Sequence, residues 1–361
     1  MNARTCIALA VATLLSGTAY AAPLTANQML QQFNVVVSGN LTSTSHVDGR
    51  SYVGLNANGG DYVQHVNDTP ASAYAGLTVG GTLSGNVHVN GLGLVTGGDA
   101  NGINVNSGAS YVGGSASGSS FNGDAWVTGT ASSVNFNGGT HAGSYVNTNH
   151  NNVISAPTAV MNSTLAASTS TNFGAVMTGL SSQLSAMHAT DGTKVTYSNN
   201  DSNVLLSGKA VNGVLVFDLT KEDSKIFSSK VTDISFNLTG ASTVIFNTDD
   251  SDLSLYANFN QAQTLGSKLI WNFAGHNNSV TVGRTFGGQV LVADGTFSNV
   301  GGANVEGGVF AKTLNQYGEI HLQSFTGTVP TAPVPEPETY AMLLAGLGVM
   351  GAMLRRRKKQ G

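Results

Sequence analysis

The sequence is short of cysteine, proline and charge. Its only cysteine is Cys6, and it has 7 prolines and 9% charged residues in a chain of 361. Because that cysteine lies near the N-terminus, the body of the chain offers no disulfide, thiol nucleophile or thiolate metal site. Lysine and arginine are missing from 51 to 193, and residues 23–333 hold nine basic against seventeen acidic residues. This balance excludes the basic surface with which proteins bind nucleic acid or anionic lipid.

The N-terminus has the pattern of a secretory signal peptide. One cation precedes an apolar stretch over 6–15, and Ala19 and Ala21 form an A-x-A site. This pattern predicts export and cleavage after Ala21 or Ala22, so that residues 1–22 form the signal peptide. The alternative is that the segment is a buried helix of the folded protein.

The C-terminus combines a proline motif, an apolar run and a basic end. A linker over 329–339 contains a Pro-Glu-Pro word, residues 340–354 are uncharged, and five cations follow them: Arg355, Arg356, Arg357, Lys358 and Lys359. A helix over the uncharged run would reach only about 22 Å, against a bilayer core of about 30 Å. The cations are expected to stay in the cytoplasm, which places the preceding chain across the membrane. The segment 340–361 is therefore either a brief anchor that serves sorting or a permanent short transmembrane helix.

Short alternating segments recur in the middle of the chain. One series comprises Val87–Val89, Ile103–Val105, Phe121 and Val134–Phe136. A second series, interleaved with the first, contains Val95, Val112, Val127 and Ala142. The intervals are near sixteen residues, which predicts at least two short strands in each repeat.

This repeat predicts a β-solenoid with glycine at the corners of its coils. Glycine adopts the positive φ that sharp corners require, and asparagine tolerates it. Since equivalent positions stack at about 4.8 Å, like charges would repel along a whole column, which accounts for the scarcity of charge. The alternative fold is a β-sandwich with glycine-rich turns.

A helical period occupies residues 157–189. It predicts one long α-helix that ends at Asp191-Gly192 and lies against the solenoid. Its apolar stripe comprises Phe173, Val176, Met177, Leu180, Leu184 and Met187. Strand patterns resume afterwards at wider spacing: Val195–Tyr197, Val214–Phe217, Val244–Phe246, Leu269–Trp271, Val280–Val282, Val290–Val292 and Val309–Phe310. We therefore expect one domain over 23–328 in which the helix covers wider coils.

Three stretches of the chain resemble the choice-of-anchor A family. They are FNVVVSGNLTSTSHVDGRSYVG, FGAVMTGLSSQLSAM and GGQVLVADGTFSNVGGANVEGGVFAKTLNQYGEIHL, with the fixed words Asp48-Gly49-Arg50 and Gly318-Glu319-Ile320-His321. The resemblance covers about residues 24–327. It implies a secreted adhesive domain built on an ice-binding-like right-handed β-helix with one long flanking α-helix.

The tail resembles a PEP-CTERM sorting signal. Pro335, Glu336 and Pro337, the apolar run and the arginine cluster stand together at the end of a chain that also begins with a signal peptide. The resemblance implies that an exosortase-type membrane protease in a Gram-negative inner membrane holds the tail and cuts near the motif. We expect transient membrane insertion, followed by release to the cell surface or extracellular matrix.

An enzyme is the alternative from another class, because right-handed β-helices also house pectin-active enzymes. The segment 247–252 resembles the Asn-Thr-Asp word of polygalacturonases, so Asp249, Asp250 and Asp252 would be the acid and base on a glycosidic bond. A second aspartate pair upstream, a Gly-His-Gly word and an Arg-x-Lys word are missing from the sequence. A turn with solvated aspartates, or weak calcium binding, explains the cluster as well.

The remaining polar residues give no compact motif. The histidines include no pair at i, i+4 and no His-x-His, so we expect no metal or catalytic site from them; they are His46, His65, His88, His141, His150, His188, His276 and His321. Ice binding through spaced threonines is a further possibility, with Thr96 and Thr128 interrupted near Gly113. Exposed Asn, Ser, Thr and Tyr on a flat face suit a polysaccharide equally well. We expect a non-enzymatic surface protein without a cofactor, bound to an exopolysaccharide or cell-surface glycan.

Overall fold

The chain folds as a β-solenoid of short, mostly parallel strands, with its three longer helices along one side. A computed structural model describes residues 21–330. That part of the chain contains five helices: α1 Ala26–Gln32, α2 Ala159–Ser168, α3 Phe173–Ser185, α4 Asp223–Ile226 and α5 Ala262–Leu265. The all-β solenoid predicted from the repeat is confirmed.

The strands before the helical segment form the N-terminal half of the solenoid. They are β1 Val35–Val37, β2 Leu41–Ser43, β3 His46–Val47, β4 Ser51–Val53, β5 Ala57–Asn58, β6 Asp61–Tyr62, β7 Leu77–Val79, β8 Leu83–Val89, β9 Leu94–Thr96, β10 Ala100–Val105, β11 Ser110–Val112, β12 Ala116–Ser117, β13 Ser120–Phe121, β14 Ala125–Ser132, β15 Asn135–Phe136, β16 Gly139–Val146 and β17 Asn152–Val153.

The strands after the helical segment form the C-terminal half. They are β18 Lys194–Tyr197, β19 Asn203–Lys209, β20 Val214–Asp218, β21 Asp233–Thr239, β22 Thr243–Thr248, β23 Asp252–Leu255, β24 Asn258–Phe259, β25 Leu269–Phe273, β26 Ser279–Val282, β27 Phe286–Gly287, β28 Gln289–Asn299, β29 Val305–Gly307, β30 Val309–Gln316 and β31 Ile320–Leu322. Each segment that the sequence predicted as a strand after the helix lies within one of these strands.

Each complete coil contributes a strand to each of three faces. In the first coil β1 lies on face A, β2 on face B and β3 on face C, and β4, β5 and β6 of the next coil pair parallel to them. Longer strands such as β8 and β14 turn a corner and pair on two faces. The repeat therefore has three strands, of which the sequence located those on faces A and C.

The first coil lies in the middle of the stack. On face A, Val35 is opposite Ser51 on one side and Val309 on the other. From this coil the chain winds to one end, returns along face A through α2 and α3, and winds back from the opposite end. We call the junction of the first coil with the last coil, β1–β3 against β30–β31, the seam.

The lumen of the solenoid narrows from the C-terminal to the N-terminal half. One inward column on face A begins with aromatic rings in the C-terminal half and continues with aliphatic and small side chains: Phe217, Phe246, Trp271, Val290, Val309, Val35, Ser51, Leu77, Leu94, Ser110, Ala125 and Thr140. All of them are buried. At one narrow corner, Gly108 has φ +93°, and a Cβ there would lie 2.2 Å from the backbone nitrogen of Gly93. Such corners need glycine, as the sequence predicts.

The structure confirms one of the two predicted repeat series and shifts the start of the other by one residue. The first is confirmed on face C, where Val87 pairs with Ile103 and Phe121 pairs with Phe136. The second is displaced at its start, because Val112 pairs with Thr96 and not with Val95. Thr96 is fully buried, and its hydroxyl donates to the carbonyl oxygen of Gly81 at 2.7 Å. A hydroxyl with a backbone partner thus takes a lumen position that the pattern had assigned to a valine.

The predicted single helix over 157–189 is two helices. Asn172 starts the second helix, α3, because its side chain accepts a hydrogen bond from the backbone N–H of Ala175 and so caps the N-terminus. The helix α3 ends at Ser185, before the predicted stop at Asp191-Gly192, and the Asn247 amide donates to the Leu184 carbonyl at 2.8 Å. The buried part of the predicted stripe is confirmed: Phe173, Met177, Leu180 and Leu184 pack on the apolar outer side of face A.

Several predicted segments lie outside residues 21–330. These are Ala19, the Pro335-Glu336-Pro337 motif, the segment 340–361 and the arginines 355–357. Ala21 and Ala22 are the first described residues, and Ala21 packs against the core cluster under the helices. Within the described range, no helix is long and apolar enough to span a membrane.

Candidate functional site

The outer side of face B carries a continuous row of small uncharged polar side chains. Parallel pairing aligns them across the seam and both halves: Ser254, Thr281, Ser298, Asn315, Thr42, Asn58, Ser84, Asn101, Ser117 and Ser132. Each is exposed or half-exposed, while the residues before them, such as Leu41 and Ala57, fill the lumen. We call this set the polar row.

Hydrogen bonds between neighbouring rungs hold the polar row in place. The Asn58 side-chain amide donates to the Ser84 hydroxyl at 3.0 Å, and the Ser117 hydroxyl donates to the side-chain oxygen of Asn101 at 2.7 Å. Next to the row, the Asn56 side-chain oxygen accepts the backbone N–H of Thr82 at 2.8 Å. A shallow groove of about 450 Å³ lies between these residues and the row. The result is a rigid face with hydrogen-bonding groups about 4.8 Å apart.

A second cluster lies at the seam on face C, where two histidines meet three carboxylates. The His321 ring lies between two acids, with Nδ1 2.8 Å from Glu306 Oε1 and Nε2 2.7 Å from Glu319 Oε2. His46 Nε2 is 3.7 Å from the other oxygen of Glu319 and 3.8 Å from Asp48 Oδ1. Stacking of the first coil on the last therefore brings together residues from opposite ends of the chain.

The charges of the seam cluster shift the titration of its members. Burial alone would lower the pKa of His321, but its hydrogen bonds to Glu319 and Glu306 outweigh that effect and raise the pKa. The hydrogen bond from His321 in turn lowers the pKa of Glu319. Both shifts favour an ion pair of imidazolium and carboxylate in the absence of another cation.

The aspartates of the proposed enzyme motif do not form one group. Asp249 and Asp250 lie beside Asp223, which is buried and accepts their backbone N–H groups at 3.2 and 3.3 Å. Desolvation and the nearby Asp223 charge raise the pKa of both Asp249 and Asp250. Asp252 begins β23 instead and lies exposed on the outer side of face B.

The first residue of that motif has a structural role. Besides its bond to α3, the Asn247 side chain accepts the Asn272 amide at 2.9 Å, and the Ser181 hydroxyl donates to Asn272 at 2.7 Å. Above this network a cleft of about 370 Å³ is lined by serines of α3, Asp218 and Asp249. Asn247 thus fastens the helix to face A from beneath the cleft.

The threonines considered for ice binding do not share a surface. Thr96 faces the lumen, whereas Thr128 is exposed after the face A part of β14. Thr96 and Thr128 therefore offer no common face on which the alternative of ice binding could rest. Near Thr128, the ring of Trp126 stacks on that of His141, with centroids 3.7 Å apart.

Comparison with known families identifies both parts of the chain. The profile of the ice-binding-like adhesive domain matches residues 26–322, most of the sequence. The chain belongs to this family of adhesive domains. A PEP-CTERM protein-sorting motif matches residues 333–358, and it implies processing by exosortase, a membrane protease. No curated protein and no solved structure matches the chain significantly.

The adhesive domain and the sorting motif together support a secreted surface protein that the exosortase system sorts. Within the adhesive domain, the segments 48–50 and 318–321, which carry part of the family resemblance, meet at the seam. Asp48 accepts the backbone N–H of Leu322 at 3.0 Å, next to His321. Arg50 is buried and donates to the carbonyl oxygens of Gln32, Pro70 and Tyr74. Residues 48–50 and 318–321 thus help to form the seam, which the spacing of the histidines alone did not predict.

Proposed function

We propose that the protein is a non-enzymatic adhesin of the cell surface or extracellular matrix of a Gram-negative bacterium, and that face B binds an exopolysaccharide or cell-surface glycan. The observation that carries the proposal is the polar row, which runs uncharged and without a gap from Ser254 to Ser132. It is found in a chain that belongs to an adhesive family and carries a sorting motif.

The chemistry of face B suits an extended sugar chain. Amide and hydroxyl groups donate and accept hydrogen bonds, as sugar hydroxyls do, and the side chains of Asn58, Ser84 and Ser117 are already held in place. Because little side-chain freedom is left to lose, binding costs less entropy than it would on a mobile loop. Many weak contacts along ten rungs favour a long polymer over a small sugar.

A non-enzymatic role agrees with the arrangement of the aspartates. Asp223 is occupied by backbone donors, Asp252 lies apart on face B, and Asn247 fastens α3. A glycosidase needs two carboxylates on opposite sides of one bond. Reducing-sugar release from pectin that disappears on Asp249→Asn with Asp250→Asn would contradict the proposal.

Glycan binding is tested with residues 23–333, because the buried residues of both core clusters lie between Met29 and Val329. We expect retention on a glycan array that is lost in Asn58→Arg, which puts a long cation into the polar row. The matched control is Asn135→Arg, because Asn135 is exposed on the outer side of face C. This variant should bind the glycan like the unaltered chain. Equal binding by both variants would remove face B from the proposal, and ice-crystal shaping without glycan retention would favour an ice-binding protein.

The sorting proposal concerns the tail. We expect the surface protein to lack the residues after about Pro337, which mass spectrometry would detect. Replacing Pro335, Glu336 and Pro337 with alanine should leave export intact but trap the full-length chain in the inner membrane with its arginines in the cytoplasm. Deleting residues 355–359 should instead release uncut protein into the periplasm. If the triple-alanine protein still reached the surface with a shortened C-terminus, cleavage at this motif would be wrong.

A further inference from the structure

We propose that His46, Glu319 and His321 form a site for a divalent metal ion, with Zn²⁺ the ion that their donor atoms fit best. The site lies at the seam and would join the first coil to the last. It is independent of glycan binding, since the polar row lies on face B.

The donor set is that of an open zinc site. The ligand atoms of these three residues all lie within 4.8 Å of one another. Two imidazoles and one carboxylate, with a fourth position left to water, are a common set in zinc proteins, with bonds of about 2.0–2.2 Å. The three side chains are 28–40% exposed, which leaves an entry path from solvent.

Only one short contact must open to admit the ion. His321 Nε2 and Glu319 Oε2 are 2.7 Å apart, whereas two ligands of a tetrahedral zinc lie about 3.3 Å apart. His46 Nε2 already lies 3.7 Å from Glu319 Oε1. Rotation of the partly exposed His46 and Glu319 side chains would bring both distances to the value that zinc requires.

Buried neighbours hold the ligands in the orientation that a metal needs. Glu306 is 4% exposed, accepts a hydrogen bond from the Gln323 amide at 3.0 Å, and lies 2.8 Å from His321 Nδ1. A carboxylate on the far nitrogen is the usual support of a zinc-bound histidine, because it directs the other nitrogen to the ion. The side-chain oxygen of Asn304 likewise accepts the backbone N–H of Glu319 at 3.1 Å.

The local charge also favours a cation. Three carboxylates, Asp48, Glu306 and Glu319, converge here, and two of them are almost fully buried. Among residues 21–330 the ion-pair partners of these carboxylates are all histidines, and no lysine or arginine pairs with them. Buried carboxylates are generally paired or bound to metal, and a divalent ion would balance this group.

The test is zinc binding by the purified exported protein, stripped with a chelator and titrated calorimetrically with Zn²⁺. We expect one equivalent to bind, with a rise in melting temperature of several degrees. His46→Ala and His321→Ala should each weaken binding at least tenfold and abolish the rise. Glu306→Gln, a positioning variant, should weaken binding about 10–100-fold while the metal-free melting temperature stays near that of the unaltered chain.

The matched control is His88→Ala. His88 is another face C histidine, 2.6 Å from Asp61, and lies outside the three-residue group. Its variant should bind zinc like the unaltered protein. The proposal is overturned if the unaltered chain takes up less than one equivalent at 100-fold excess of zinc, if His46→Ala binds equally well, or if Ca²⁺ gives the same heat and melting shift.

Discussion

The two halves of the solenoid fill the face A side of the lumen with side chains of different size. In the C-terminal half, Phe217, Phe246 and Trp271 stack on successive rungs, with ring centroids 5.0 and 4.1 Å apart. In the N-terminal half the equivalent positions hold small residues such as Ser110, Ala125 and Thr140. On face A the wide coils are filled by large rings, whereas the narrow coils close on aliphatic and small side chains and keep their stacked rings, Phe121 and Phe136, on face C. These stacked rings of the two halves thus lie on different faces of the lumen.

The same difference explains where the helix lies. The inner core of the wide half comes from its aromatic stack, while its outer side on face A is also apolar, with Val216, Ile245 and Ile270. α3 covers that surface, and α2 continues past β9 and β11 of the narrow half. The stability of the C-terminal half therefore depends on two packed layers, the core in the lumen and the contact between face A and α3.

The largest expected effect is on the aromatic stack. Trp271 is fully buried and its ring nitrogen donates to the Gly287 carbonyl oxygen at 3.1 Å. Trp271→Ala should lower the free energy of unfolding by about 3–5 kcal/mol, because it leaves a cavity and an unpaired carbonyl. Denaturant unfolding of the mature chain measures the change. An effect under 1 kcal/mol would contradict a packed lumen in this half.

The second effect concerns the outer layer. Leu180 is 2% exposed between α3 and face A. Leu180→Ala should cost about 2–5 kcal/mol, and Leu180→Asp should prevent folding, since it buries an unpaired charge. Thermal unfolding checks both variants. If neither moved the melting temperature, α3 would be a mobile linker rather than part of the domain.

Much of this comparison could be predicted from the sequence, because side chains that fill a lumen repeat visibly. The spacing of the face C series, with Phe121 and Phe136, predicts the short coils of the N-terminal half. The wider spacing of Phe246 and Trp271 predicts the longer coils of the C-terminal half. Face B was missed because its strands are as short as Ala116–Ser117 and have no apolar alternation.

The seam and the cluster of histidines and carboxylates on it could not be predicted from local sequence patterns. Parallel stacking joins His46 to Glu319 across almost the whole chain, and no spacing rule reports such a pairing. The break before α3 was missed for another reason, since residues 169–172 contain no glycine or proline, and the start of α3 is marked only by the side-chain cap of Asn172.

A matched pair on one strand tests how the narrow half is filled. Val112 and Ser110 both face the lumen on β11, and the Ser110 hydroxyl is buried without a hydrogen-bond partner among the described residues. Val112→Ala should cost about 2 kcal/mol for two lost methyl groups. Ser110→Ala should be neutral or slightly stabilising, because it removes a desolvated hydroxyl. Equal losses from both would mean that Ser110 has a polar partner.

The smallest effect concerns charge on the polar row. Asn101 and Ser117 are paired neighbours on face B. Replacing both with aspartate should cost about 0.2–1 kcal/mol, and added salt should restore it. Asn101→Asp with Ser117→Lys is the matched control and should be neutral. A salt-independent loss in the first variant would mean that charge repulsion does not explain the scarcity of charge.

The central claim is that the first coil lies between the second and the last, so that face B continues across the seam. The most direct test uses a short bismaleimide, since Cys6 is the only natural cysteine and lies in the predicted signal peptide. Thr42→Cys with Asn315→Cys puts the thiols on neighbouring rungs, about 4.8 Å apart. Thr42→Cys with Asn58→Cys is the positive control, and Thr42→Cys with Ser132→Cys, five rungs apart at about 24 Å, is the negative one. We predict that mass spectrometry finds linked peptides for the first two pairs only. Linkage of 42 to 58 without linkage of 42 to 315 would contradict the seam.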